Sequence, residues 1–314
     1  MRCAQEEAKR YFLSCGIEDA AVDAWYLMEF VTGVTRAGYL ADRERRLSEE
    51  LRERFVSLVN QRGAHIPLQH LTGEQEFMGL PFLVNEHVLI PRQDTETLVE
   101  LALSILEREI PGCGLGAGRV CPDSGNQRPY RALDLCTGSG CIAISLEKQW
   151  EARVGGSLEL YASDLSAEAL ATARENTRRL GAAVHFIQSD LFAQFSTSDC
   201  ERFDMIVSNP PYICTPVIEE LSEEVRLHEP RMALDGGADG LDFYRRIICE
   251  SRDYLQPGGW LLMEIGYDQG EAVSDLMREN EFAEVRIAKD LPGNDRVVSG
   301  RLPRTKELWQ NIIR

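Results

Sequence analysis

The chain has 314 residues and a formal net charge of −17, with 51 acidic and 34 basic side chains. This length is sufficient for two domains that each bury an apolar core. Such an acidic chain is repelled by phosphate groups, so the charge disfavours free nucleic acid as the principal partner and favours a basic protein surface.

The N-terminus and the cysteines indicate the compartment. No apolar run approaches the roughly 20 residues that cross a membrane, and residues 1–7 lack the apolar core of a signal peptide. The nine cysteines are an odd number without a Cys-x-x-Cys pair, and the five histidines show no metal-ligand spacing. These features favour reduced thiols over a disulfide framework or a zinc site. We therefore expect a cytoplasmic protein that binds neither a membrane nor a metal.

Residues 1–73 carry the apolar periodicity of helices. Two stripes show it, namely Val22, Trp25, Tyr26, Leu27 and Phe30, and then Leu47, Leu51, Phe55, Leu58 and Val59. This segment contains no glycine-rich turn and no strand that ends in an acidic residue. We predict a small helical domain over residues 1–73 that recognises a substrate protein. A stabilising appendage without a recognition role is the alternative.

A β-hairpin is predicted next, because apolar and polar residues alternate over 77–90. Its turns are expected near Leu80-Pro81 and near residues 85–86, where turn-forming residues occur. We place this hairpin in a linker over residues 74–92. A catalytic domain over residues 93–314 is then expected to follow.

The catalytic domain is predicted to begin with a helix that Asp94 or Thr95 caps. The apolar stripe of that helix comprises Leu98, Val99, Leu101, Ala102, Ile105 and Leu106. Residues 111–130, which follow it, are rich in glycine. Their composition favours a flexible surface loop over a ligand cradle.

A strand over residues 132–135 then leads into a glycine turn and an apolar segment of helical length. In an open α/β sheet, ligands bind beyond the carboxyl ends of such strands. Gly138 and Gly140 allow the backbone to approach a ligand, and the N–H groups at the helix start would face it. The spacing Gly-x-Gly is weak on its own and is also compatible with a nicotinamide dinucleotide.

Two further predicted strands end in acidic or small residues. Residues 158–162 lead to Asp164, about 24 residues after Gly140, where a carboxylate accepts hydrogen bonds from ribose hydroxyl groups. Residues 184–188 lead to Ser189 and Asp190. Each aspartate alone is explained as well by helix capping. Together with the glycine turn, they favour one ligand-binding rim.

The tetrapeptide Asn209-Pro210-Pro211-Tyr212 follows the apolar strand predicted over residues 203–208. Because proline donates no backbone hydrogen bond, the strand must end there. The two prolines make a stiff, extended turn that begins with an amide side chain and ends with an aromatic ring. Such a corner suits a planar group that carries nitrogen, although a turn with a buried tyrosine is the simpler reading.

The remaining pattern alternates strands with helices. Strands are predicted over 260–265, 283–287 and 296–299, with helices over 241–254 and 270–280. Alternation of this kind indicates an α/β fold with a mainly parallel sheet and helices on both faces.

The series 134–140, Asp164, 189–190 and 209–212 resembles the motifs of class I S-adenosylmethionine-dependent methyltransferases that modify planar nitrogens. Two further segments, 88–96 (VLIPRQDTE) and 291–297 (LPGNDRV), narrow the resemblance. With them the chain resembles the protein-(glutamine-N5) methyltransferases of the PrmC/HemK family, which methylate the Gly-Gly-Gln glutamine of peptide-chain release factors.

The resemblance implies a Rossmann-like sheet of seven strands, the last of them antiparallel, and S-adenosyl-L-methionine as cofactor. Its implied cofactor-binding residues are Cys136, Thr137, Gly138, Ser139, Gly140, Asp164, Asp190, Leu191 and Asn209. Its implied substrate-binding residues are Asn209, Pro210, Pro211 and Tyr212. Of these, Asn209, Pro210 and Tyr212 are implied to be catalytic: the Asn209 side-chain oxygen and the Pro210 carbonyl accept hydrogen bonds from the substrate amide, and Tyr212 packs on it. Release factors are the implied protein partner, with no direct nucleic-acid substrate.

The chain departs from the family pattern at four places. Cys136 stands where glycine is usual, and Gln93 replaces a proline. Residues 111–130 form a longer connection than expected, and a basic tail extends to residue 314.

Other functions fit parts of the pattern. A glutamine methyltransferase that acts on a ribosomal protein would share the tetrapeptide and differ in the helical domain. An adenine-N6 methyltransferase of nucleic acid could also carry it, because an exocyclic amine is planar; the acidic charge disfavours that function. A binding module that kept the fold without catalysis is disfavoured by the intact Asn209 and glycine turn.

Overall fold

Residues 1–109, 119–120, 127–153, 158–198 and 201–304 are described by a computed structural model, with the backbone alone at 119–120 and 127–128. Most of the glycine-rich connection and the end of the basic tail, both singled out from the sequence, lie outside these residues. Within the connection, two short strands pair antiparallel, namely β3 (Arg119–Val120) and β4 (Gln127–Arg128).

The N-terminal segment is helical, as its periodicity predicts. Its helices are α1 (Arg2–Ser14), α2 (Ala20–Thr32), α3 (Arg36–Ala41), α4 (Glu49–Gly63) and α5 (Leu68–Thr72). The side chains of Phe12, Leu27, Met28 and Phe55 are buried between them. Gly33 and Gly73 end α2 and α5 in the left-handed conformation, which glycine adopts without steric cost.

The predicted hairpin exists, but the prediction of a turn at Leu80-Pro81 is wrong. Strands β1 (Glu74–Phe77) and β2 (Leu80–Leu83) pair antiparallel with Phe77 opposite Leu80, so the turn is Met78-Gly79. Both turn residues have positive φ values, 52° and 74°, which suits a two-residue hairpin turn. Pro81 lies inside β2 because a two-stranded ribbon has outer edges that need no N–H donor.

The catalytic part contains a seven-stranded sheet in the order β10-β11-β9-β8-β5-β6-β7. Its strands are β5 (Tyr130–Leu135), β6 (Leu158–Asp164), β7 (Val184–Gln188), β8 (Phe203–Ser208), β9 (Leu255–Glu264), β10 (Ala283–Lys289) and β11 (Asp295–Arg301). Only β11 is antiparallel to its neighbours in this sheet. The sequence-based expectation of seven strands with the last one antiparallel is therefore confirmed.

Helices cover both faces of the sheet. They are α6 (Glu96–Glu109), α7 (Cys141–Arg153), α8 (Ala167–Leu180), α9 (Glu223–His228), α10 (Asp242–Tyr254) and α11 (Gly270–Glu279), with 3-10 turns at Gln93–Thr95, Thr215–Glu220 and Arg231–Ala233. The side chains of α6 and α7 share one core with Ala132 and Val207, and those of α10 and α11 share another with Leu133 and Ile206. The alternation of strand side chains between two faces thus produces two apolar layers.

Strand β5 lies between β6 on one side and β8 on the other. The strand order reverses direction at this point, which is where an open α/β sheet leaves a crevice beyond the strand ends. The topology therefore places the glycine turn after β5 and the tetrapeptide after β8 side by side. The predicted α/β class is confirmed.

Candidate active site

A cavity of about 370 Å³ opens at this crevice. Its wall contains most of the residues proposed from the sequence, namely Cys136, Thr137, Gly138, Ser139, Asp164, Asp190, Leu191, Asn209 and Pro211. Gly140, Pro210 and Tyr212 belong to the same turns but are not part of the wall. The fold thus brings together segments that are up to 75 residues apart in the sequence.

The glycine turn is held in a left-handed path. Cys136, Gly138 and Gly140 have φ values of 59°, 54° and 81°. An added Cβ atom at Gly140 would lie 3.0 Å from Ile144 Cδ1 and 3.1 Å from Ala173 Cβ, whereas one at Gly138 would meet nothing within 4 Å. Gly140 therefore permits close packing of α7 and α8, while Gly138 leaves the cavity side open.

Asp134 anchors this turn from beneath, a role that the sequence reasoning did not assign. Its side chain is fully buried, and Oδ2 accepts hydrogen bonds from Thr137 Oγ1 at 2.6 Å and from the Ala143 N–H at 3.2 Å. Burial raises the pKa of Asp134 to about 7. Its position directly before the turn was the available signal, because a buried carboxylate there can hold both ends of the loop.

Asp164 closes the turn from the neighbouring strand. Its Oδ2 accepts from the Gly138 N–H at 2.9 Å, and its Oδ1 accepts from the Ser166 N–H at 2.9 Å. Ser166 in turn caps α8. Asp164 thus binds both the glycine turn and the residue that caps α8. Each of its carboxylate oxygens keeps a further lone pair for a ligand hydroxyl group. Burial raises the pKa of Asp164.

The third strand end contributes Asp190 and Leu191. Asp190 forms an exposed ion pair with Arg246 at 3.0 Å. Leu191 has a φ of 47° and a buried side chain, so its backbone turns back along the cavity wall. Together these residues provide a carboxylate and an apolar surface side by side.

The corner after β8 is rigid. Pro210 and Pro211 are buried, and the Tyr212 carbonyl accepts a hydrogen bond from Gln269 Nε2 at 3.0 Å. The Asn209 side chain donates from Nδ2 to Thr95 Oγ1 at 3.3 Å. With its nitrogen so engaged, the amide of Asn209 offers its oxygen as the acceptor to the cavity.

Tyr212 differs from the sequence expectation in its surroundings. Its ring packs with the core on the α10 and α11 face, and its hydroxyl group lies 3.4 Å from Glu264 Oε1. Burial and the nearby Glu264 carboxyl group raise its pKa above the usual range. The phenol therefore stays protonated at neutral pH.

The opposite wall comes from two segments that join across the cavity. One contains His87 to Arg92, and the other contains Pro230, Met232, Ala233 and Asp235. An ion pair between Arg92 and the buried Glu229 connects them. Sequence reasoning did not identify this wall: residues 88–96 were singled out only for the family resemblance, and residues 230–235 carry no pattern that marks a wall.

The chemistry of the wall fits a nucleoside-bearing sulfonium cofactor. The open backbone at Gly138 leaves space for a close approach, Asp164 and Asp190 are acceptors for hydroxyl or amino groups, and Leu165 and Leu191 are apolar surfaces for a base. Within the described ranges, no group of three or more His, Cys, Asp or Glu side chains could hold a metal ion.

Comparisons with known proteins agree with this geometry. Residues 4–73 match the PrmC N-terminal domain, and residues 124–222 match the methyltransferase small domain. A release factor glutamine methyltransferase from Moorella thermoacetica is 41% identical over 300 residues, which cover 94% of this chain and 96% of that protein. A release factor glutamine methyltransferase from Geobacter sulfurreducens is 40% identical over 295 residues, covering 93% of each.

The chain belongs to the release factor glutamine methyltransferase family. The resemblance deduced from the motifs is thereby confirmed. A class I methyltransferase fold with S-adenosylmethionine-dependent chemistry follows from this membership. The catalytic domain of hMettl16, solved with the MAT2A 3′UTR hairpin 6, aligns with a TM-score of 0.50 at 15% identity over 78% of this chain and 81% of that one. At that identity the likeness shows the fold alone.

None of the helices in the described ranges combines the length and the apolar composition of a membrane span.

Proposed function

We propose that the protein transfers a methyl group from S-adenosyl-L-methionine to the side-chain nitrogen of the glutamine in the Gly-Gly-Gln motif of peptide-chain release factors. The observation that carries this proposal is the Asn209 amide, whose nitrogen is held by Thr95 and whose oxygen is left for the cavity. Family membership supports the same reaction.

The cofactor would be held by the turns at the ends of β5, β6 and β7. Asp164 suits the ribose hydroxyl groups, and Asp190 with Leu191 suits the base. The backbone from Cys136 to Gly140 and the Asn209 side chain border the remaining part. When bound, S-adenosylmethionine supplies an electrophilic methyl group.

The remaining task of the site is to orient a weak nucleophile. An amide nitrogen is a poor nucleophile because its lone pair is delocalised into the carbonyl group. The Asn209 oxygen and the Pro210 carbonyl would accept its two N–H bonds, which fixes the nitrogen and favours lone-pair character. The nitrogen becomes acidic once methylated, so its proton can leave afterwards without a strong general base. Pro211 and Tyr212 keep the corner rigid from below.

The helical domain would select the protein partner. A groove lined by α2, α5, β1 and the start of α6 carries the exposed side chains Val22, Tyr26 and Phe30 among acidic residues. This combination suits a basic segment with apolar side chains. We therefore retain residues 1–73 as the recognition domain, 74–92 as the linker and 93–314 as the catalytic domain, and we expect the protein to act in the cytoplasm, where release factors work.

A direct assay tests the proposal. Purified protein and S-adenosylmethionine are incubated with a release factor and with the same factor carrying Gln→Glu in its Gly-Gly-Gln motif, and the products are examined by mass spectrometry. One added methyl group on the glutamine of the first factor and none on the second is the expected result. Methylation of a ribosomal protein, or of adenine in nucleic acid, with no methylation of release factors would overturn the proposal.

A further inference from the structure

The two family-like segments at 88–96 and 291–297 meet in the structure. Arg296 of the second segment is buried, and its Nη2 atom lies 3.2 Å from Asp94 and 3.0 Å from Asp290. Its Nη1 also donates to the Ile265 carbonyl at 3.3 Å. The guanidinium group therefore fixes the start of α6 against the end of β9.

Thr95, the neighbour of Asp94, lies between that anchor and the active-site corner. Its side chain is 2% exposed and forms part of the cavity wall. Its Oγ1 accepts from Asn209 Nδ2, so its own proton remains for donation to another group.

Glu264 is a buried acid beside Tyr212, the last residue of the corner. It is 1% exposed, and its Oε1 is the atom facing the Tyr212 hydroxyl group. Its Oε2 has no hydrogen-bond partner within the described part of the chain. Burial raises the pKa of Glu264 to about 7, and the carboxyl group supports the corner through the Tyr212 hydroxyl group.

We propose that Thr95 is a positioning residue that fixes the orientation of the Asn209 amide, with the Arg296–Asp94 ion pair holding Thr95 in place. This inference rests on the proposed function, in which Asn209 must present its oxygen to the substrate.

The direction of the hydrogen bonds supplies the reason. The oxygen and nitrogen of an asparagine amide are almost equal in size, so packing alone does not choose between the two flipped states. A hydroxyl group could stabilise either state, because it both donates and accepts. In the structure, Thr95 Oγ1 faces Asn209 Nδ2, and the anchored Asp94 beside Thr95 keeps the hydroxyl oxygen in that position. This bond holds the amide nitrogen toward Thr95, so the Asn209 oxygen faces the cavity.

A second threonine–asparagine hydrogen bond, away from the cavity, provides a control. Thr172 on α8 also accepts from an asparagine, Asn85 Nδ2 at 3.0 Å, and is 6% exposed. It is not part of the cavity wall. Thr172→Val therefore removes the same kind of bond without touching the active site.

The test compares T95V, T95S and T172V with the wild-type protein. We expect T95V to lower kcat for release-factor methylation at least tenfold, with the KM for S-adenosylmethionine within twofold of wild type. T95S keeps the hydroxyl group and should restore kcat to within threefold, and T172V should leave it unchanged. Equal losses in T95V and T95S, or wild-type kcat in T95V, would overturn the proposal.

A second readout does not depend on the substrate. In ¹⁵N-labelled protein, the side-chain NH₂ signals of Asn209, identified by their loss in N209D, should move in T95V and stay in place in T172V. Unmoved signals in T95V would refute the positioning role. If the wild-type protein fails to methylate release factors while these signals move as expected, the proposed function fails and the positioning role stands.

Discussion

The two halves of the active site are built in different ways. The central part of the cofactor half is a strand, a turn and a helix that are continuous from β5 to α7, and Asp134 holds the turn from within the same segment. The corner half has a local tetrapeptide, but its support comes from Thr95, Glu264 and Arg296, which are far apart in the sequence. Local sequence is thus enough for a ligand loop, whereas orientation of one amide requires the assembled sheet.

The largest effect should come from the corner. Asn209→Ala removes the acceptor oxygen, and loss of one such oriented group typically lowers kcat by about 10²- to 10³-fold. Single-turnover methylation of a release factor measures this directly, with the melting temperature as the control for folding. Full activity in a folded Asn209→Ala protein would exclude the orienting mechanism.

A change in the cofactor half should affect binding more than chemistry. Asp164→Ala removes a charged acceptor whose hydrogen bond contributes about 1.5–3 kcal/mol, which corresponds to roughly a tenfold to hundredfold weaker Kd for S-adenosylmethionine. Calorimetric titration measures the Kd. Because Asp164 also accepts from Gly138 and Ser166, Asp164→Asn serves as the control that keeps one acceptor oxygen. An unchanged Kd in Asp164→Ala would contradict the assignment.

The pH dependence of stability tests the anchor of the glycine turn. The pKa of Asp134 is about 7 in the folded state and near 3.8 when unfolded, so the folded protein binds the extra proton between these values. Stability therefore falls as the pH rises from about 4 to 7 and is constant above that range for this group. Because asparagine does not titrate, the melting temperature of Asp134→Asn should rise relative to that of the wild type as the pH increases across this interval. If the melting temperatures of the two proteins change with pH in parallel from pH 4.5 to 8.5, Asp134 titrates normally and the prediction is wrong.

The smallest effect is expected at Cys136, the residue that departs from the family pattern. Its φ of 59° costs a residue with a side chain about 1–2 kcal/mol. Cys136→Gly removes this cost, but the greater backbone entropy of glycine in the unfolded chain offsets part of the gain in stability. The variant should therefore melt at the same or a slightly higher temperature, with cofactor binding intact. A large loss of affinity in titration would show that the thiol contacts the cofactor.

The sequence alone was sufficient wherever a structural role depends on neighbours along the chain. Local sterics set the strand before the glycine turn, the left-handed turn itself and the end of β8 just before Asn209, because glycine permits positive φ and proline cannot continue a ladder. The helical start and the order of strands and helices follow from periodicity in the same way.

Tertiary structure decided the features that depend on distant partners. The hairpin turn lies at Met78-Gly79 and not at Leu80-Pro81, because Pro81 is tolerated on the edge of a two-stranded ribbon. Asp94 and Thr95, which were expected to cap a helix, instead contact Arg296 and Asn209. A hydroxyl or carboxyl group bonds whatever donor or acceptor the fold brings within about 3 Å, and no local pattern encodes that partner. The sequence therefore determined which groups the active site contains, and the packing of β9 and β11 against the start of α6 decided how Asn209 is held.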